Sequence, residues 1–127
     1  MADRLVLRLD SIQPTQLYIN ASKLATLEAA YPPGTETSME PVPVTQMHGK
    51  VVYTDGHTRA FLLWKRGIET IDAIWDDTEL NALVYETCLC WCEDEQVFTI
   101  ADLNGRVLDD ETYQQAWIAR CQAIEHE

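Results

Sequence analysis

The sequence predicts an α+β fold: a small mixed β-sheet with helices, followed by a C-terminal helical extension. Three observations point there. Before residue 76, short β-branched or alternating runs are interleaved with helical periods. Glycine and proline punctuate these runs at Pro32-Pro33-Gly34, His48-Gly49, Asp55-Gly56 and Gly67. Beyond Asp76, apolar residues recur at helical steps. The expected organisation is one domain over residues 1–127, with an α/β core over 1–76 and helices over 77–127.

Leu5, Leu7 and Leu9 alternate with Arg4, Val6, Arg8 and Asp10, which predicts a strand over about residues 4 to 9. Ile12-Gln13-Pro14-Thr15 reads as a turn-like connector, because a residue before proline avoids helical geometry. Asn20 or Ser22 then caps a helix to about Ala30, with Leu24, Leu27 and Tyr31 inward. Pro32-Pro33-Gly34 stops it, and residues 32–41 form the longest loop. Val42 to Met47 and Lys50 to Thr54 pair as a hairpin around His48-Gly49. A helix from His57 ends at Gly67, and Thr70 to Trp75 is the next strand. The expected order over this core is β-α-β-β-α-β.

The C-terminal part reads as two helices. Leu80, Leu83, Val84, Thr87, Cys88, Trp91 and Cys92 form the stripe of the first, with Asp76, Asp77 and Glu79 complementing its N-terminal dipole. After a short turn near Ile100 to Leu103, a last helix starts at about Asp109. Its stripe is Tyr113, Ala116, Trp117, Arg120, Cys121 and Ile124. Trp64 and Trp75 are expected at the sheet–helix interface, and Trp91 and Trp117 between the last helices. His48 and His126 are expected to be exposed and idle.

Charge narrows the function classes. Nine Lys and Arg stand against 21 Asp and Glu, a net charge of −12. Such a surface repels a phosphate backbone, whose attraction supplies most nonspecific nucleic-acid binding. An anionic membrane surface is disfavoured for the same reason. No continuous apolar run approaches a membrane span or a secretory signal. Four cysteines, three of them in Cys88-Leu89-Cys90-Trp91-Cys92, do not resemble a secreted disulfide framework, so a cytoplasmic protein is expected. Cys88 and Cys92 read as small core hydrophobes, with no metal site expected. No glycine-rich pyrophosphate loop of the acetyltransferase kind is present, because Asp-Gly-His-Thr-Arg provides one glycine.

The chemistry concentrates at Asp55-Gly56-His57-Thr58-Arg59, where a strand turns through glycine into a helix. Helix-opening amides favour an anion. Here an imidazole, a hydroxyl, a guanidinium and a carboxylate join them. The bland alternative is local: Asp55 caps the helix, Gly56 supplies a permissive dihedral and Arg59 makes a surface ion pair.

These residues resemble the ParB and sulfiredoxin superfamily. The likeness covers about residues 4 to 76: Ile12-x-Pro14, Pro41-Val42-Pro43-Val44, the hairpin, the Asp55–Arg59 turn, Gly67 and the strand at Thr70 to Trp75. The ParB region carries a glycine–x–x–arginine turn that cradles nucleotide phosphates. Sulfiredoxin has a glycine–cysteine–histidine–arginine version. The free serine kinases have an aspartate–glycine–histidine–histidine–arginine version, which Asp55, Gly56, His57 and Arg59 match with Thr58 at the remaining place. The C-terminal portion is similar to that of small bacterial proteins sharing the aspartate–glycine–histidine–threonine–arginine turn.

The resemblance implies a nucleotide-binding or phosphate-binding domain, with ATP or another nucleotide and Mg²⁺ as cofactors. Gly56, His57, Thr58 and Arg59 would hold the ligand, and Asp55, His57 and Glu40 would be the catalytic set of a phosphotransferase. Three departures stand out. His57 replaces the sulfiredoxin cysteine, which speaks against sulfinic-acid reduction. The kinases' essential glutamate has Gln13 and Gln16 as nearest counterparts, neither of which can act as a general base. Glu40 is the best replacement, with Glu36 behind it. ParB's basic surface and further DNA-binding domain have no counterpart in these 127 residues. The competing expectation is a non-catalytic regulatory or interaction module that keeps the fold and uses its acidic surface toward a basic partner.

Overall fold

The computed structural model describes residues 4–125, so His126 lies outside the described residues. The strands are β1 (Leu5–Arg8), β2 (Ile19–Asn20), β3 (Val42–Met47), β4 (Lys50–Tyr53), β5 (Thr70–Trp75) and β6 (Val107–Leu108). The helices are α1 (Ala21–Ala30), α2 (His57–Lys65), α3 (Ala82–Asp94), α4 (Asp110–Tyr113) and α5 (Ala119–Glu125). A π turn over Gln114–Ile118 joins α4 to α5 without a break. The fold is α+β, as expected.

The main sheet has the order β1-β5-β3-β4. β3 and β5 run parallel at its centre, and β1 and β4 flank them antiparallel. Gln13 extends the β4 edge: its amide donates to Val51 O at 2.8 Å and its carbonyl accepts from Tyr53 N at 3.1 Å. Arg8 at one edge and Gln13 at the other are five residue steps apart, a reach of about 17 Å when fully extended. Five positions abreast in a flat sheet span about 19 Å. Because those five steps also contain a 3₁₀ turn at Leu9–Ser11, the sheet must curl. The proposed turn-like connector is thus a buried quasi-strand, with Ile12, Gln13, Pro14 and Thr15 all buried.

Val42 and Val44 of β3 and Ile71 and Ala73 of β5 share one buried core with Ala60, Phe61, Leu62 and Leu63 of α2. Burying one such Leu or Phe contributes about 1.5–3 kcal/mol. Asn20 caps α1 by accepting from Lys23 N at 3.0 Å, which decides between the two expected caps. β2, ahead of α1, pairs in parallel with β6, so the C-terminal third supplies a strand as well as helices. The buried cluster is continuous from Leu9 through Cys88, Cys92, Ile100 and Trp117 to Ile124.

Four details correct the expected pattern. α3 begins at Ala82 under an Asn81 cap, and its first turn carries no acidic residue. Asp76 instead accepts from Thr54 Oγ1 at 2.6 Å and Thr78 N at 2.9 Å, tying the end of β5 to the end of β4. Leu83 is 61% exposed, whereas Leu89 is buried. At about 100° per residue Leu83 sits roughly 140° around the helix from Cys88, on the far side. Trp75, at the last position of β5, is 43% exposed, although it alternates on the same side as the buried Ile71 and Ala73.

Candidate functional site

β4 passes through Thr54 and Asp55 and reverses at Gly56, whose φ of +81° lies in the left-handed region. Gly56 has no side chain with which to cap α2, and Asp55 does not cap it either. Asp55 Oδ1 accepts from the Gly56 amide at 2.7 Å. The first bond of the helical ladder is Ala60 N to Gly56 O at 3.0 Å. The amides of His57, Thr58 and Arg59 therefore stand ahead of the ladder, where an anion is favoured.

Arg59 folds back across this corner. Its Nη1 donates to Glu40 O at 2.9 Å and Pro41 O at 3.1 Å. Its Nη2 lies so near Gly56 that a β-carbon there would be 3.0 Å away. The guanidinium is thus anchored by one nitrogen to the loop before β3 and makes no ion pair among the described residues. A cavity of about 250 Å³ opens beside it, lined by the five residues Asp55 to Arg59. Lys23 and Leu27 from α1, Gln16 from the segment before β2, and Tyr113 from α4 complete its walls.

His57 borders this cavity but is committed elsewhere. Its Nε2 accepts from the Thr15 amide at 3.0 Å, so its proton sits on Nδ1. The ring is buried against Tyr53, centroid to centroid 5.1 Å. Burial pulls its pKa down to about 4, with Asp55 opposing. Near pH 7 the imidazole is therefore neutral and its acceptor nitrogen occupied. His57 locks the 13–17 segment to the turn; the expected acid–base role is not open to Nε2.

Glu40 also departs from the expected set. It touches Arg59 through its backbone carbonyl, while its exposed side chain borders a separate cavity of about 150 Å³ shared with Glu36 and Asp72. Arg59 borders both cavities; Asp55 and Glu40 do not share one. Glu36, the residue expected behind Glu40, accepts from Gly34 N at 2.8 Å and faces Arg66 at 3.3 Å, so its carboxylate is engaged away from the turn. Gln13 is buried, its Nε2 donating to Pro14 O at 2.9 Å and Val97 O at 2.7 Å. Gln16 Nε2 donates to Tyr18 O at 2.7 Å and to the Tyr113 hydroxyl at 2.8 Å.

Sequence reasoning missed Lys23 and Tyr113 as site residues and weighed Gln16 only as a failed base. Lys23 lies one turn into a helix whose partner is α2, and Tyr113 reads as one more core aromatic. Neither carries a local signal.

The remaining candidates are structural. Cys88 and Cys92 are buried, Cys90 is exposed, and Cys121 is half-buried. Hydrogen bonding with Cys121, then burial, raises the Cys88 thiol, and burial pushes Cys92 up to about 12. His48 is exposed, as expected; it holds φ +53° in the hairpin turn, with the Glu86 carboxylate 3.8 Å away.

No family model and no curated protein matches this chain. Among solved structures it is similar to protein Atu1540 from Agrobacterium tumefaciens, at 14% identity and a TM-score of 0.49. The similarity covers 77% of this chain and 51% of that one, so this chain spans about half the length of that structure.

Proposed function

We propose that this chain binds a nucleotide or another phosphorylated small molecule at the Asp55–Arg59 turn, in a core of ParB/sulfiredoxin type. One observation carries the reading: Arg59, Lys23 and the uncapped start of α2 meet at a single cavity. A helix N-terminus alone stabilises an anion by about 0.3–1 kcal/mol, up to about 2 when partly buried. Hydrogen bonds to charged groups add about 1.5–3 kcal/mol each. Together they bring binding into the millimolar-to-micromolar range, about 4–8 kcal/mol.

The donor set does not form a metal cage. Asp55 is the one carboxylate at this cavity, and one of its oxygens already accepts the Gly56 amide. Among the described residues, no group of three or more His, Cys, Asp or Glu is placed to hold a metal ion. The binding reading therefore takes no step through Mg²⁺. The second reading, a regulatory module without chemistry, is favoured by the engagement of His57 Nε2 and the placement of Glu40 on another cavity.

A thermal-shift panel of ATP, ADP, CTP, GTP and inorganic phosphate, with and without Mg²⁺, tests the proposal. At a hundredfold excess over Kd, binding to the folded state adds about 2.7 kcal/mol of stability. The shift is expected to vanish in Arg59→Gln and to weaken in Lys23→Gln, whose side chain anchors no backbone. Flat melting curves across the panel overturn the reading. An ADP-release assay with small alcohols separates an enzyme from a binder.

A further inference from the structure

The anion-binding reading leaves the neutral part of the cavity unexplained, and its hydrogen-bonding inventory is unusually restrictive. Gln16 Nε2 must face the Tyr18 carbonyl, since that oxygen only accepts, and this fixes the orientation of the amide. Both hydrogens of the amide are then spent, one on Tyr18 O and one on the Tyr113 hydroxyl. What Gln16 retains is the acceptor Oε1. Tyr113 accepts from Gln16 and retains its own O–H as a donor. Burial pushes that phenol up to about 12, the Gln16 hydrogen bond opposing, so it stays protonated near pH 7.

One acceptor beside one donor is the complement of a hydroxyl group, which gives and takes one hydrogen bond each. Both partners are held in place. Gln16 follows Thr15, which is pinned by His57 Nε2 at 3.0 Å and by its own Oγ1 to Tyr53 O at 2.7 Å. Tyr113 lies in the first turn of α4, capped by Asp109, whose carboxylate accepts from Thr112 N at 2.8 Å. Size points the same way. About 250 Å³ is below the roughly 300–1,000 Å³ usual for drug-sized ligands, so a whole nucleoside would have to project from the site.

Resting on the anion-binding reading, we infer that the ligand is a small hydroxylated phosphomonoester, and that Gln16 and Tyr113 select it by pairing with its hydroxyl. The phosphate takes Arg59, Lys23 and the α2 amides, as in the broader reading. A phosphomonoester without the hydroxyl leaves the Gln16 oxygen and the Tyr113 proton unpaired, and a buried polar group left unpaired costs affinity.

Calorimetric titration of the whole chain with glycerol 3-phosphate, n-propyl phosphate, inorganic phosphate and AMP tests this. Glycerol 3-phosphate is expected to bind at least about tenfold tighter than n-propyl phosphate and tighter than AMP. Tyr113→Phe, checked for an unchanged fold by its melting curve, should bring the two esters within about twofold by weakening glycerol 3-phosphate alone. Gln16→Met should do the same from the other side of the pair. Equal affinities for the two esters in the unaltered protein, or AMP binding tightest, overturn this inference and leave the anion site standing. A preference that survives both substitutions overturns the role of the pair. No binding of any of the four overturns the anion site itself.

Discussion

Gly56 combines two demands that no other residue meets together. Its φ is +81°, and a β-carbon there would sit 2.6 Å from Val42 Cγ1 as well as against Arg59 Nη2. Val42 is fully buried in β3 and has nowhere to retreat. Gly56→Ala is therefore expected to destabilise by on the order of 3 kcal/mol, left-handed strain and overpacking together. Urea denaturation measures it; a loss below about 1 kcal/mol would show that the corner yields easily. His57 makes a second residue-scale prediction. The unfolded imidazole titrates near 6.5 and the folded one at about 4. Between those values the unfolded chain binds a proton that the folded chain does not, so stability rises with pH across the window. It is lost as pH falls through it, by on the order of 3 kcal/mol. His57→Gln keeps an acceptor for Thr15 N without a titrating ring. Its stability is expected to be flatter than the native protein's between pH 6.5 and 4. Identical slopes would place the acid sensitivity elsewhere.

At the scale of elements, local chemistry was readable and facing was less so. The Asn20 cap, the hairpin at His48-Gly49 and the strand Thr70–Trp75 follow from short-range rules. Asn20→Ala is expected to cost about 1 kcal/mol, read as a lowered melting temperature with unchanged native circular dichroism. An unchanged melting temperature would mean that tertiary packing holds α1 without its cap. The stripe expected on α3 includes Leu83, whereas the buried arc is centred on Cys88, Leu89 and Cys92, and α5 is the helix that packs on α3. The last helix was legible in extent, but its π turn at Gln114–Ile118 was not. Tyr113 and Trp117, four residues apart across this widened turn, are both buried, and nothing in the residue types around them marks the turn.

Across the whole molecule, the C-terminal helices are integral to the core and to the site. Trp117 meets Trp91 edge-on at 6.0 Å and Tyr18 at 6.4 Å, linking the last helix to α3 and to the segment carrying Gln16. Arg120 stacks on Trp91 at 3.9 Å. Trp117→Ala is expected to cost about 3–5 kcal/mol and to lower affinity for any anion that uses the Tyr113 wall. Far-ultraviolet and tryptophan-fluorescence melts should shift together. A melt in which the sheet region keeps its original midpoint would show two independently stable parts.

The amino-acid sequence by itself determined the α+β class, the order of nearly every element and the turn at Asp55-Gly56-His57-Thr58-Arg59. Each follows from hydrophobic period, capping and backbone permissiveness, which act over a few residues. Only the tertiary structure decided that Gln13 extends the β4 edge of the curled sheet, that His57 is buried and bonded to Thr15, and that Glu40 stands apart from Asp55. It also brought Lys23, Gln16 and Tyr113 to one cavity from α1, the connector and α4. These placements depend on contacts between segments far apart in the chain, and no local pattern encodes which distant surface a side chain will meet.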